Sequence, residues 1–84
     1  MDRIVRKKII ERFYLALDRI IDDHAIRGVN TYCRLYEIDR RNLQAQRKDL
    51  DRGWFDVSWL VPLVSKYKIS ATWLLTGSGE MYQS

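Results

Sequence analysis

The chain has 84 residues, 46% of them hydrophobic, and its 15 lysines and arginines against 11 aspartates and glutamates give a formal net charge of +4. We expect one domain over residues 1–84, because this length excludes a catalytic domain joined to a regulatory one and the hydrophobic content excludes a disordered chain. The single Cys33 excludes an internal disulfide, and the chain has neither a membrane-length apolar run nor the apolar core of a signal peptide, so we expect a cytoplasmic protein with no membrane partner.

The first predicted element is a long helix over residues 3–23, with an apolar stripe on one face and charged side chains on the other. The stripe consists of Ile9, Ile10, Phe13, Tyr14, Ala16, Leu17, Ile20 and Ile21. The basic beginning of the helix has three readings: a solvated face, which we favour, additional phosphate contacts, or a membrane-surface helix. Asp22 and Asp23 oppose the helix dipole, so we expect fraying near His24, which we assign to an exposed loop.

A short second helix is predicted after Gly28, which would be its N-cap. Tyr32, Leu35 and Tyr36 form an apolar set at positions i, i+3 and i+4, and the small Cys33 beside them allows another helix to approach closely. Residues 37–38 then form a turn, with Ile38 buried between the two helices.

The third predicted helix covers residues 40–48 and begins after Asp39, whose side chain can accept a free backbone N–H of the first turn. At about 100° per residue, Leu43 faces inward, Gln46 and Arg47 flank it, and the other polar side chains face solvent. This run holds four cations and no carboxylate. For an isolated run of this kind, an ordinary solvated helix face is the stronger interpretation, so the decision depends on its context.

The functional interpretation of this helix is contact with DNA. Arginine, glutamine and asparagine match base edges in the major groove, and a small alanine can lie against a thymine methyl. The candidates for base readout are Arg40, Arg41, Gln44 and Ala45. Other side chains can position the protein on the phosphates without reading sequence. The candidates for phosphate contact are Arg27, Asn30, Asn42, Arg47, Lys48 and Arg52.

The second half of the chain predicts supporting helices. Trp54 and Phe55 admit base stacking, but aromatic residues beside a helix start more often staple a loop to the core. Pro62 predicts a kink or a late start in a fourth helix that Asp56 or Ser58 caps and that extends to about residue 67. The expected buried stripe of that helix consists of Val57, Leu60, Leu63, Val64 and Tyr67.

A short fifth helix is predicted at the end of the fold. Ser70 would cap it, Gly77 would end it, and Trp73 would plug the core against the first and fourth helices. Ile69 bridges to this helix from the fourth. In the tail that follows, Met81 and Tyr82 either pack back on the domain or contribute to a dimer surface.

Two segments carry a resemblance to a known family. Tyr32–Leu43, YCRLYEIDRRNL, resembles the helix-turn-helix of phage-repressor-like (Cro/repressor, XRE-type) DNA-binding domains, and Trp73–Met81, WLLTGSGEM, resembles the closing segment of small bacterial members typical of Bacteroides-type genomes. The resemblance implies an all-α compact bundle of about five helices with a helix-turn-helix at about 28–48. It also implies sequence-specific binding to double-stranded DNA, commonly as a homodimer on a two-fold operator.

Two residues depart from the family pattern. Glu37 stands where the family usually has a turn glycine, and a left-handed backbone there would cost a residue with a Cβ about 1 kcal/mol. Gln46 stands at a usually apolar position, so we expect the third helix to be less firmly seated than in a typical member.

The sequence as a whole predicts a bacterial or prophage transcriptional regulator acting at the nucleoid. We expect no enzyme, because no nucleophile–base pair, phosphate-binding glycine loop or metal-ligand spacing is visible, and hence no catalytic residue, cofactor, metal or small-molecule ligand. Two alternatives stay open. One is a protein-interaction module on the same frame, such as an antitoxin, antirepressor or accessory subunit, and the other is a membrane-surface role for the first helix.

Overall fold

The computed structural model describes residues 2–83, which form five α-helices and one 3₁₀ turn. The helices are α1 (Arg3–Asp22), α2 (Val29–Leu35), α3 (Arg40–Lys48), α4 (Val61–Tyr67) and α5 (Ala71–Thr76), and the 3₁₀ turn (Val57–Leu60) leads into α4. Within residues 2–83 a single β-bridge is the sole extended pairing, so the all-α prediction is confirmed. No helix in this range combines the length and hydrophobicity needed to cross a bilayer.

The long helix α1 supplies the centre of the core. Its predicted stripe is buried from Ile9 to Ile20, with Ile21 partly buried. Phe13 is fully buried, and the centroid of its ring lies between 5.0 and 6.2 Å from four other aromatic rings. These rings belong to Tyr14, Tyr32, Phe55 and Trp59. Because they come from α1, α2, the loop after α3 and the 3₁₀ turn, one aromatic cluster joins most of the fold.

Two side chains hold the C-terminal end of α1, where we expected fraying. The Asp23 carboxylate accepts hydrogen bonds from Arg19 Nε at 3.1 Å and from the Tyr82 hydroxyl at 2.6 Å. The Tyr82 bond lowers the pKa of Asp23, while burial and this same bond raise the pKa of Tyr82 to about 12. At neutral pH a neutral hydroxyl therefore donates to a charged carboxylate. His24 is exposed in the following turn, as predicted.

The helices α2 and α3 are joined by a tight turn at Glu37 and Ile38. Glu37 has a left-handed φ of 55°, and the Ile38 N–H donates to the Cys33 carbonyl at 2.9 Å. Leu35, which we placed in the apolar set of α2, does not share its burial, since this side chain is 54% exposed. Cys33 is buried, and a side chain two residues further along a helix points about 200° away from it. Leu35 therefore points away from the core. Ile38 is only half-buried.

The segment before α4 differs from the predicted register. Asp56 caps the 3₁₀ turn by accepting from the Ser58 N–H at 2.8 Å, and α4 begins late, with Pro62 in its first turn, as predicted. Val57, however, is 71% exposed, whereas Trp59 is buried. A 3₁₀ turn advances about 120° per residue, so burying the large Trp59 ring turns Val57 outward.

The short helix α5 is bounded as predicted. The Ser70 side chain accepts from the Trp73 N–H at 3.1 Å, and Gly77 ends the helix with a left-handed φ of 80°. Leu74, not Trp73, fills the core position, because Leu74 is 1% exposed and Trp73 is half-buried. The tail packs back on the domain, with the Ser70 N–H donating to the Met81 carbonyl at 2.7 Å.

The turn at Glu37 generates a stability prediction. Replacing Glu37 with Gly should raise the free energy of unfolding by about 0.5 to 1 kcal/mol, because glycine removes the left-handed strain while its flexibility in the unfolded chain offsets part of the gain. Thermal and urea unfolding would measure the change. The control, Glu37→Ala, keeps a Cβ and should give no such gain, and equal stability of both variants would contradict the prediction.

Candidate nucleic-acid interface

An open groove of about 730 Å³ follows the exposed side of α3 and the N-terminal end of α2. It is lined by Asn30, Asp39, Arg40, Arg41, Gln44, Ala45 and Lys48. All four candidates for base readout therefore lie together, with two of the candidates for phosphate contact. Three cations face one carboxylate in this groove, so its lining is net positive. The carboxylate is that of Asp39, which we had considered only as a helix cap.

The inner side of α3 is fixed to the core. The Asp39 side chain accepts from the Asn42 N–H at 3.0 Å and so caps the helix as predicted, and Leu43 is fully buried. The Tyr14 hydroxyl donates to the Leu43 carbonyl at 2.6 Å. Burial raises the pKa of Tyr14, which keeps this hydroxyl protonated and able to donate. The groove residues thus stand on a helix that α1 holds from behind.

Gln46 is fully buried and makes four hydrogen bonds to the backbone. Its Oε1 accepts from the N–H groups of Trp54 and Phe55, both at 2.9 Å. Its Nε2 donates to the carbonyls of Asp49 at 3.3 Å and Leu50 at 3.1 Å. These contacts are the opposite of the looser seating that we expected from a polar residue at this position. The local sequence gave no signal for them, since the partners lie in the following loop.

Arg47 faces α1 and lies outside the groove. Its guanidinium donates to the Asp18 carboxylate at 3.0 and 3.4 Å and lies 4.8 Å from the centroid of the Tyr14 ring. Its side chain is 33% exposed. The geometry therefore assigns Arg47 to the contact between α1 and α3, and we do not include it among the proposed phosphate contacts.

The three remaining candidates are exposed and lie outside the groove lining. Arg27 lies in the loop before α2, and Asn42 lies on α3 outside the groove lining. Arg52 lies in the loop after α3, where it donates to the Asp49 carboxylate at 3.2 Å. Within the groove, Arg40 Nη1 donates to Asn30 Oδ1 at 3.3 Å and so connects α3 with the beginning of α2.

A second open groove, of about 370 Å³, lies between α4 and α5. It is lined by Val57, Leu60, Val61, Val64, Ser65, Ala71, Leu74 and Leu75. None of these side chains is charged, and the three largest exposed ones, Val57, Val61 and Leu75, are 71%, 59% and 50% exposed. The two grooves share no residue.

The chain shows no match to any family model, curated protein or solved structure with which it was compared. The two surfaces are therefore the basis for assigning a function.

Proposed function

We propose that the chain is a sequence-specific, double-stranded-DNA-binding protein with a helix-turn-helix formed by α2, the turn at Glu37 and α3. Its proposed biological role is that of a bacterial or prophage transcriptional regulator. The observation that carries the proposal is the groove on α3, where Arg40, Arg41, Gln44 and Lys48 lie side by side on a helix whose opposite face is buried.

The proposed mechanism lays α3 in the major groove, which is wide enough to admit an α-helix. The forked donors of Arg40 and Arg41 suit the two acceptors of guanine, the Gln44 amide suits adenine, and the Ala45 methyl suits thymine. Lys48, at the C-terminal end of α3, would contact a phosphate beside the major groove of the DNA. The hydrogen bond between Asn30 and Arg40 restricts the arginine before it binds, which reduces the entropy lost on binding.

The positive charge of the groove lining would make the affinity for DNA depend on salt concentration. Arg40, Arg41 and Lys48 outnumber the Asp39 carboxylate, so the lining attracts phosphates of any sequence. Contacts to base edges depend on sequence, whereas contacts to phosphates do not. The two classes of residue can therefore be told apart by mutation.

Two substitutions test the separate roles of bases and phosphates. Arg41→Ala should weaken binding to the preferred duplex by roughly 1 to 3 kcal/mol and relax the preference at one base pair. Lys48→Ala should weaken binding to all duplexes alike and reduce the slope of log affinity against log salt by about one. Fluorescence anisotropy at several salt concentrations, with matched and scrambled duplexes, measures both effects.

The matched control is Lys66→Ala, which removes an exposed cation from α4. It should leave affinity, sequence preference and salt slope close to their wild-type values. If Arg41→Ala keeps both the affinity and the preference of the wild-type protein, then the assignment of base readout to this side of α3 is wrong.

The apolar groove between α4 and α5 favours a protein partner, and we propose that this partner is a second copy of the chain. The α3 surface is cationic and would repel its copy, whereas the α4–α5 groove has no charged lining and allows two copies to approach. Around a two-fold axis, Val57, Val61 and Leu75 of each copy can enter the groove of the other. Because the two grooves share no residue, this dimer would leave both α3 surfaces uncovered, as binding to two half-sites requires.

The size of the groove implies that this dimer is weak without DNA. Stable interfaces bury about 800 Å² per partner, which is more than a groove lined by eight residues provides. Two copies on adjacent half-sites are held at high effective concentration, so DNA should complete the dimer. The alternative function is a module that binds a different protein through this groove. Sedimentation velocity with two-site and one-site duplexes separates the two, because only a dimer gives cooperative binding of the second copy.

Substitution of Val61 tests the dimer. Val61→Glu should leave one protein on each half-site but remove cooperative binding of the second, because a charge would be buried in an apolar contact. Sedimentation velocity with two-site and one-site duplexes measures the stoichiometry. The control is Val5→Glu, at an exposed valine of α1, and it should bind as the wild type does. A wild-type protein that binds two sites without cooperativity would contradict the dimer.

A further inference from the structure

We infer that Gln46 is a positioning residue that holds the loop after α3 so that Arg52 and Trp54 contact a DNA phosphate beyond the bases read by α3. The inference rests on the proposed function and extends its interface. It concerns the segment 49–55, which begins directly after Lys48, the last residue of α3.

The four hydrogen bonds of Gln46 fix both ends of this loop. The Nε2 group holds the carbonyls of Asp49 and Leu50 at its start, and Oε1 holds two successive N–H groups at its end. Each hydrogen-bonding position of the amide is used, so no other side chain of this size could replace it without loss. The loop is therefore held in one shape by a side chain that points away from the DNA-facing side of α3.

The two N–H groups that share Oε1 belong to residues that face opposite ways. The Phe55 ring packs inward, 5.7 Å from the Phe13 centroid and 5.3 Å from that of Trp59. Trp54 points outward and is 42% exposed, so only Phe55 fulfils the prediction that these aromatics staple the loop. Gln46 fixes the backbone of both residues while the Phe55 ring packs inward. The Trp54 indole therefore stays on the surface.

The guanidinium of Arg52 lies over the exposed indole of Trp54. Arg52 Cζ lies 5.3 Å from the centroid of the Trp54 ring, and the Arg52 side chain is 60% exposed. Within residues 2–83, the Trp54 Nε1–H and the two terminal nitrogens of Arg52 make no hydrogen bond. These donors are therefore available to an external acceptor. Phosphate oxygens accept hydrogen bonds from donors of this kind. The stack holds the guanidinium in place before binding.

The neighbouring charges are mixed. Arg6 Nη2 donates to the Arg52 carbonyl at 3.0 Å and brings a second guanidinium to the loop, while Asp49 and Asp51 are the nearby acids. The Arg52–Asp49 ion pair is exposed, at 3.2 Å, and such pairs contribute little to stability. Arg52 can therefore exchange this carboxylate for a phosphate.

The position of the loop fits a phosphate just outside the bases read by α3. Arg52 lies four residues after Lys48, so the Cα atoms of these two residues are at most about 14 Å apart. That distance corresponds to about four base pairs at 3.4 Å each. A phosphate within about four base pairs of the one nearest Lys48 is thus within reach of Arg52.

The experiment uses the full chain and a duplex selected from a random pool, prepared in a long form with flanking base pairs and in a short form without them. Arg52→Ala and Trp54→Ala should each weaken binding to the long duplex several-fold and leave binding to the short duplex unchanged. Arg52→Ala should also reduce the salt slope on the long duplex by about one. Phosphate ethylation interference should lose one flanking position in both variants.

Gln46→Met, which keeps the volume of the side chain but removes its hydrogen bonds, should reproduce the loss of the flanking phosphate. Adding Arg52→Ala to Gln46→Met should then cause little further loss, because the loop has already left its place. A role in stability alone would weaken binding to both duplexes in proportion. Circular dichroism identifies the folded variants. If Gln46→Met does not fold, Gln46→Glu, which keeps the acceptor for the Trp54 and Phe55 N–H groups but removes the donor to Asp49 and Leu50, tests the same role and should also lose the flanking phosphate.

The outcomes separate this inference from the proposed function. If Arg41→Ala weakens binding while Arg52→Ala and Trp54→Ala bind the long duplex with wild-type affinity and salt slope, the loop contact is refuted and the proposed function stands. If the wild-type protein selects no duplex and binds none with salt dependence, both are refuted.

Discussion

The buried inner face of α3 is the constraint on which the rest of the structure depends. A helix of nine residues is too short to be stable alone, so its form and direction come from the contacts beneath it. Leu43 supplies the apolar contact, the Tyr14 hydroxyl holds its carbonyl, and Gln46 ties the helix to the following loop. Without these contacts the cationic side chains above would be an unordered set of charges.

This constraint explains why the same residue types have opposite roles on one short helix. Gln44 lies in the open groove, whereas Gln46, two residues and about 200° further round, is buried. Arg41 is exposed, while Arg47 pairs with Asp18 and lies over Tyr14. A count of positive charges along α3 therefore overstates the number available to a polyanion.

Local physical chemistry made much of the fold predictable. The stripe of α1, the caps at Asp39 and Ser70, the stop at Gly77 and the strained turn at Glu37 each depend on a few neighbouring residues, and the structure has all of them. The clustering of the base-readout candidates followed from helical period alone, given the inward Leu43. Whether they bind DNA stays a prediction.

The misses arise from distant partners and from competition for space. The role of Arg47 depends on Asp18, 29 residues away. The role of Gln46 depends on N–H groups in a loop whose shape cannot be predicted from local sequence. Leu74 is 1% exposed where we expected Trp73, which is half-buried and packs against the edge of the core. No pattern of period or capping encodes such choices.

Selection of bound duplexes from a random pool, at a low and a higher salt concentration, tests most directly whether the exposed side of α3 reads base sequence. If α3 reads bases, one defined motif is enriched at both salt concentrations, with less DNA retained at the higher one as phosphate contacts weaken. A pool that stays random at both concentrations, although the protein is folded, would contradict it.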